Sequence, residues 1–568
     1  MFFSALRETL KDKSFFTTIN NNILSGITVG IVALPLSMGL AIASGVPPQH
    51  GLYTAMVGGF IIALTGGSRV SISGPTAAFV VVLLPVVYKF GLGGLLISGA
   101  LAGIIMIGFG LLRLGRIIQI IPYPVIVGFT SGIGTVIAFL QLKDLLGLHP
   151  ENEGIDFTEK VLAIVQAAPG FQWQELVIGS ITFAVLLFWK KLHSRIPSYF
   201  VALITGSILA IIFNSIESLP SIETISTRFS YEINGVMGHG ISTSLPHFVL
   251  PWNLADGDGK PIGLSWNILK TLLGAAFSIA LLGALESLLC AVVADGMTGF
   301  RHDPDGELIG QGIGNIFVAF MGGVPATAAI ARTATNIRSG ASTPVSAITH
   351  SLVILLTILF LAKWLGYIPM ASMAAVLLMV AWNMSEAHHA WRIFTKAPAA
   401  DAVVFLACFL LTVLIDMQVA VAGGLALASI LFMKRMIELT ETSVLEHKTH
   451  IHELSKNDQV IVYDVNGPLF FGAAHKALKV ISSVNSKVRY VVLDFSDVTL
   501  LDTTAMVNLE SLVNELEAKQ VSVILIHVKS RLIDKLKRFG LLGTHSKLTI
   551  KENIQDVLNM FKNDNSLI

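Results

Sequence analysis

Apolar residues run in long, nearly unbroken stretches through the first 440 positions, with polar and charged residues gathered between them. A bilayer core takes about 20 apolar residues per helix. Stretches of that kind recur at 23–45, 51–66, 75–89, 92–112, 121–145, 176–190, 198–214, 271–296, 309–324, 345–364, 369–383, 401–418 and 420–437. A fourteenth, near 326–340, is interrupted by Arg332 and Arg338. The pattern predicts an α-helical membrane domain of fourteen segments over residues 23–440, preceded by an N-terminal segment, 1–22. An even number of crossings returns both ends to one side. Basic residues mark that side as cytoplasmic: Arg113, Arg116, Lys191, Arg301, Arg392 and Lys396 fall in loops that the alternation places inside, and Lys434 and Arg435 follow the last span. The long loop predicted outside, roughly 215–268, holds only Arg228 and Lys260.

Beyond Arg435 the pattern changes. β-branched runs at 460–465, 491–495 and 521–527 alternate with helical stretches near 472–484, 503–518 and 530–539. Such alternation predicts a small α/β domain over 441–568. Composition agrees with the division. Charged residues are 13% of the chain and mean hydropathy is +0.72, against about 25% charge in soluble domains, yet 30 of the charges fall in the last 128 residues.

The net charge of +1 argues against a nucleic-acid partner. Cys290 and Cys408 lie far apart in apolar runs and form neither a disulfide framework nor a metal site. Gly310-Gln311-Gly312-Ile313-Gly314 has no lysine at the spacing of a phosphate loop, which rejects a nucleotide site. No nucleophile–base set is visible, so neither an enzyme, a cofactor nor a metal is expected.

Two segments are too polar and too short for ordinary spans. One runs from Gly66-Gly67 to Ser73-Gly74-Pro75-Thr76, the other from Gly322-Gly323 through Pro325 to Arg332-Thr333. Each prolyl residue reads as a helix start. They fall on the third and tenth spans, the same place in each half of a seven-plus-seven arrangement. Paired, broken spans of this kind point to a transporter's midplane site, because a helix that begins within the bilayer aims unpaired N–H groups at the cavity and attracts an anion. Close helix packing at the glycines is the plainer alternative.

Arg332 sets the expected sign of the substrate. A guanidinium within a span must face water or a partner, and its fork binds a carboxylate or other oxyanion. Glu286 is the second charge inside a span, alone in the run 271–294. Intramembrane carboxylates are common proton carriers, so Glu286 is a candidate coupling site. A fixed Glu286–Arg332 ion pair is the alternative.

Specific stretches carry a resemblance: Ser71-Ile72-Ser73-Gly74-Pro75-Thr76, Glu307-Leu308-Ile309-Gly310-Gln311-Gly312, Arg332-Thr333-Ala334-Thr335-Asn336, Gly467-Pro468-Leu469-Phe470-Phe471, and 494–502. The whole chain resembles the sulfate-permease (SulP) family of anion transporters, and its C-terminal part resembles the STAS domain. Within the family it looks most similar to bacterial C4-dicarboxylate carriers, through 285–293 and 379–388. The resemblance implies seven-plus-seven inverted repeats, a core moving against a gate, a homodimer, and substrate held between the third and tenth helices. Residue by residue it places Thr76, Ala331, Arg332 and Thr333 at the anion, with Leu40 on the first-helix wall. There Pro35-Leu36-Ser37-Met38-Gly39-Leu40 replaces the sulfate relatives' Pro-Gln-x-x-Ala-Tyr, an apolar change that suits an organic acid. Glu286 falls where sodium-coupled bicarbonate relatives have Asp, and Cys290 where they have Thr. A sulfur there makes a poorer sodium site. Thr503 matches the phosphorylated position of anti-sigma-factor antagonists.

The expectation is therefore a multi-pass protein of the bacterial cytoplasmic membrane that takes up C4-dicarboxylates such as succinate with protons, by alternating access. Its STAS domain would face the cytosol and could meet a protein partner there. A sodium-coupled bicarbonate or sulfate carrier is the alternative within the class, and an anion-responsive sensor acting through the STAS domain is the alternative outside it.

Overall fold

The computed structural model describes residues 3–11, 15–118, 121–150, 157–192, 196–233, 236–255, 260–415, 417–438, 441–444, 459–482, 487–542 and 548–563. The chain divides into two compact units, Met1–Ala426 and Leu427–Ile568.

In chain order the first unit contains α1 (Ser4–Lys11), α2 (Phe15–Ala43), α3 (Pro48–Tyr53), a π-helical turn (Thr54–Gly58), α4 (Gly59–Thr65), strand β1 (Ser73–Gly74) and α5 (Ala77–Leu111). There follow α6 (Gly115–Ile118), α7 (Tyr123–Leu145), α8 (Phe157–Gln166), α9 (Trp173–Phe188), α10 (Ser198–Asn214) and α11 (Ile225–Arg228). The hairpin β2 (Ser230–Ile233) and β3 (Val236–His239) leads to α12 (Trp266–Thr298), α13 (Pro304–Phe320), β4 (Thr327–Ala328) and α14 (Ile330–Arg338). Last come α15 (Val345–Leu365), α16 (Met370–Met384), α17 (Ala387–Lys396), α18 (Ala399–Leu414) and α19 (Met417–Glu438), which continues into the second unit.

Each of the fourteen apolar stretches overlaps one or more of these elements. Seven described helices are long and apolar enough to cross a membrane by themselves, and shorter apolar helices such as α9, α10 and α18 serve the remaining stretches. The stretches 75–89 and 92–112 are joined in α5, but Gly91, at φ 61° and ψ −167°, breaks the helix between them. A residue with a side chain is rarely found at that φ, and glycine meets no steric cost there. The protein is a multi-pass α-helical membrane protein with the two-halved, fourteen-segment architecture.

Two packing groups emerge. α5 lies along α12 and α13, and α2 along α15, while α7 lies along α16 and α18. Glycines bring the first group into backbone contact. A Cβ on Gly103 of α5 would stand 2.6 Å from the Gly312 carbonyl oxygen, and one on Gly312 would stand 2.5 Å from that of Gly103. Between lipid-embedded helices, where water supplies no driving force, such close approach is what dispersion attraction needs. Phe79, Met106, Phe129 and Leu282 fill the adjoining apolar core, each no more than 1% exposed.

The second unit carries one five-stranded sheet: β5 (Glu441–Val444), β6 (Val460–Asn466), β7 (Tyr490–Asp494), β8 (Ser522–Ile526) and β9 (Leu548–Lys551), in that spatial order. β5 is antiparallel to β6, and the other pairs are parallel. Parallel neighbours require crossovers, supplied by α20 (Phe471–Ser482), α21 (Thr503–Ala518) and α22 (Ser530–Phe539), with α23 (Ile554–Asn563) after β9. Leu493, Phe495, Leu509, Leu516 and Leu525 form its core. The polar edge strands β5 and β9 escape the sequence pattern because four residues of Glu-Thr-Ser-Val or Leu-Thr-Ile-Lys carry too little apolar signal.

Candidate functional site

The two broken segments meet. β1 and β4 pair antiparallel, Ser73 with Ala328 and Gly74 with Thr327, and each strand is followed by a helix that starts inside the membrane domain. α14 has only nine residues, about 14 Å at 1.5 Å per residue, less than half of a bilayer core. Neither Pro75 nor Pro325 opens its helix, contrary to the expectation from sequence. α5 begins at Ala77 after Thr76, and α14 at Ile330 after Ala329. The paired strands hold the backbone extended just before each helix, which delays the first helical turn.

Both helix starts lack a capping side chain, so their first amide groups stay free for a ligand. Thr76 is of a type that could cap, but its hydroxyl donates instead to Glu286 Oε2 of α12 at 2.7 Å. Arg332 on the first turn of α14 is 3% exposed. Its Nη2 donates to the Pro75 carbonyl, across the strand crossing. Among the described residues no ion pair joins Arg332 to Glu286, so the alternative of a fixed pair is not what the side chains adopt.

A cavity of about 600 Å³ runs along α14 from Ala331 and Arg332 to Arg338, with Thr28, Val32, Leu36 and Asn383 also in its lining. Ala331 and Arg332 both line this cavity. Thr333 is turned away: its Oγ1 accepts from the Ile72 amide at 2.9 Å and from Cys290 Sγ at 3.2 Å. Successive residues on a helix point about 100° apart, so Arg332 and Thr333 serve different neighbours. Leu40 is packed in the apolar core, 4% exposed, and is not a lining residue; its first-helix neighbours Val32 and Leu36 are. Thr76, 6% exposed, does not line this cavity; its hydroxyl is engaged with Glu286. Thr503 lies elsewhere, exposed at the first position of α21, where Asp502 caps the helix by accepting from the Ala505 amide at 2.7 Å.

Three polar residues to which the sequence reading gives no role hold the crossing in place. On α13, Glu307 Oε2 accepts from the amides of Gly67 and Ser68 at 2.9 and 3.0 Å. One turn on, Gln311 Nε2 donates to Ser73 Oγ and to Glu307 Oε1, both at 3.0 Å. A further turn on, Asn315 accepts from the Ala326 amide at 2.8 Å and donates to the Ala326 carbonyl at 2.9 Å. Their four-residue spacing puts all three on one helix face, a signal readable in the sequence. Among the described residues no cluster of His, Cys, Asp and Glu could hold a metal ion.

Residues 19–408 match the model of the sulfate permease family, and residues 452–557 match the STAS domain. The chain belongs to the sulfate permease family. It is an anion transporter of that family with a C-terminal STAS domain. It is 37% identical to the putative sulfate transporter YvdB of Bacillus subtilis over 92% of this chain and 93% of that one. It is 30% identical to the bicarbonate transporter BicA of Synechocystis over 93% and 92% of the two chains. Among solved structures, the transmembrane domain of a cyanobacterial BicA matches with TM-score 0.60 at 29% identity, covering 73% of this chain and 98% of that one. SLC26A9 shares the fold over 99% of this chain and 93% of its own, with TM-score 0.83 at 17% identity. YvdB and BicA are named for sulfate and bicarbonate, and the narrower likeness to dicarboxylate carriers finds no support in them.

Proposed function

We propose that this chain moves a small inorganic oxyanion of the bicarbonate or sulfate class across a bacterial cytoplasmic membrane by alternating access, as a homodimer with both termini and the STAS domain in the cytosol. The carrying observation is Arg332 at an uncapped helix start that borders a cavity of about 600 Å³. The relatives' names favour an inorganic anion over the C4-dicarboxylate expected from the sequence. Succinate stays in the test because Val32 and Leu36 give the cavity an apolar wall. One anionic oxygen pair would sit on the guanidinium and on the free amides of α14.

Glu286 is the coupling residue in this reading. It is bonded to Thr76 at the start of the opposing helix, and a change in its charge would alter the field at the site Arg332 serves. Cys290 places sulfur where a hard cation wants oxygen, which favours the proton over sodium. Uptake of labelled bicarbonate, sulfate and succinate into proteoliposomes is the test, with a pH gradient or with sodium exchanged for choline. Uptake of bicarbonate or sulfate driven by the pH gradient is expected. Transport of succinate alone would restore the dicarboxylate reading, and strict dependence on sodium would remove the proton from it.

A further inference from the structure

Among the buried polar atoms without a protein partner are Arg332 Nη1 and both ring nitrogens of His350 on α15. His350 is 0% exposed. A buried imidazole with neither nitrogen bonded carries the full desolvation penalty of both, and native interiors rarely tolerate that. Arg332 Nη1 borders Gly74 of β1, and His350 Nδ1 borders Gly59 of α4, which itself lies against the neighbouring Ser73. A Cβ placed on Gly74 would stand 2.7 Å from Arg332 Nη1 and 3.5 Å from the Ala55 Cα. One placed on Gly59 would stand 3.3 Å from His350 Nδ1, 2.7 Å from Ser351 Oγ and 3.4 Å from the Ser73 carbonyl oxygen. Ser351 Oγ donates to the carbonyl of the same Ala55 at 3.4 Å. Ala55 lies in the π-helical turn Thr54–Gly58 and Gly59 follows it, a wide turn of a kind that recurs at functional sites.

We propose, building on Arg332 as the anion contact, that ordered water against Ser73 and Gly74 joins the guanidinium to the His350 ring, and that His350 is thereby a positioning residue for anion binding. A buried water takes two to four polar partners. Here Nη1 donates, the neutral ring offers one donor and one acceptor, and the Ser73 carbonyl accepts. The link anchors Nη1 of a guanidinium whose Nη2 is held by the Pro75 carbonyl, on a residue that lines the cavity. A Cβ at Gly74 would meet Nη1 itself and one at Gly59 would meet Ser351 Oγ and the His350 ring, so a side chain at either position would crowd one end of the link.

The full chain carrying ¹⁵N-labelled histidine tests the link without reference to transport. The His350 ring signals, assigned by their loss in His350→Phe, are expected to shift in Arg332→Lys, where the ammonium has no second nitrogen to reach back. Unmoved signals would overturn the proposal. Uptake then tests the consequence. His350→Phe, which keeps bulk and removes both nitrogens, should raise KM for the transported anion roughly five- to tenfold at near-constant maximal rate. His350→Gln should recover most of that loss. Equal losses in Phe and Gln variants, or a loss of maximal rate alone, would assign His350 to packing. Shifted signals together with normal uptake by Arg332→Ala would keep the link and reject Arg332 as the anion contact.

Discussion

The two half-helices that meet at the crossing share a backbone and differ in chemistry. Each follows a Gly-Gly turn and a two-residue strand, and each begins without a side-chain cap. At the tenth segment the charge is on the helix itself, in Arg332, and lines the cavity. At the third segment the helix brings only Thr76, and the charge is borrowed from Glu286 of α12. The strand residues differ in the same sense. Gly74 faces Thr327 across the pair; Gly74 leaves room for Arg332 Nη1, while the Thr327 hydroxyl donates to the Gly283 carbonyl of α12 at 3.0 Å. Repeat geometry creates two helix ends of like polarity, and in the proposed reading unlike side chains make one the substrate end and the other the coupling end.

Arg332→Ala should break the comparison most severely. Losing a charge-assisted, bidentate donor from a site away from bulk water lowers anion uptake more than about 100-fold, with insertion and melting temperature retained. Near-normal uptake at low substrate would place the anion elsewhere. Glu286→Gln should act on the other end. The amide keeps the acceptor for Thr76 but does not take up or release a proton, so gradient-driven accumulation is lost while anion exchange down its own gradient stays within about threefold. Unchanged accumulation would remove Glu286 from coupling. Gly74→Ala comes next: the added carbon, 2.7 Å from Nη1, displaces the guanidinium and should raise KM roughly tenfold. A fall in thermal stability without a change in KM would mark Gly74 as a packing residue only.

Much of this division is legible in the amino-acid sequence. The spans follow from apolar run length, the α/β domain from its alternation of strands and helices, and Arg332 and Glu286 from the rarity of charge inside a span. The pairing of β1 with β4 is not legible, because a two-residue strand has no period to detect. Without it, Pro75 and Pro325 look like helix starts, whereas the extended backbone before Ala77 and Ile330 forbids an earlier turn. Position in a motif assigns Leu40 and Thr333 to the substrate. Facing is decided by neighbours, and these turn Leu40 into the apolar core and Thr333 toward Ile72 and Cys290. The spacing of Glu307, Gln311 and Asn315 is in plain view, but its meaning depends on the crossing that lies beside that face.

The smallest effects should sharpen the division of labour. Thr76→Val removes one hydrogen bond to Glu286 and should shift the pH profile of uptake with about a threefold loss of rate, leaving KM for the anion unchanged. A KM effect equal to that of Gly74→Ala would show the two ends acting as one site. Cys290→Thr asks the same of the cation. The residue is 0% exposed and donates to Thr333, a bond that a hydroxyl can also make, so proton-driven uptake should stay within about twofold. The new oxygen stands one helical turn from Glu286, on the same face. A hard ligand there supplies what sulfur does not, and modest stimulation of uptake by sodium, absent from the unaltered protein, is the expected gain. If sodium already stimulates the unaltered protein and Cys290→Thr leaves that response unchanged, the sulfur has no part in choosing the coupling ion, and the choice must rest on Glu286 and the hydroxyls of Thr76, Ser287 and Thr327 around the crossing.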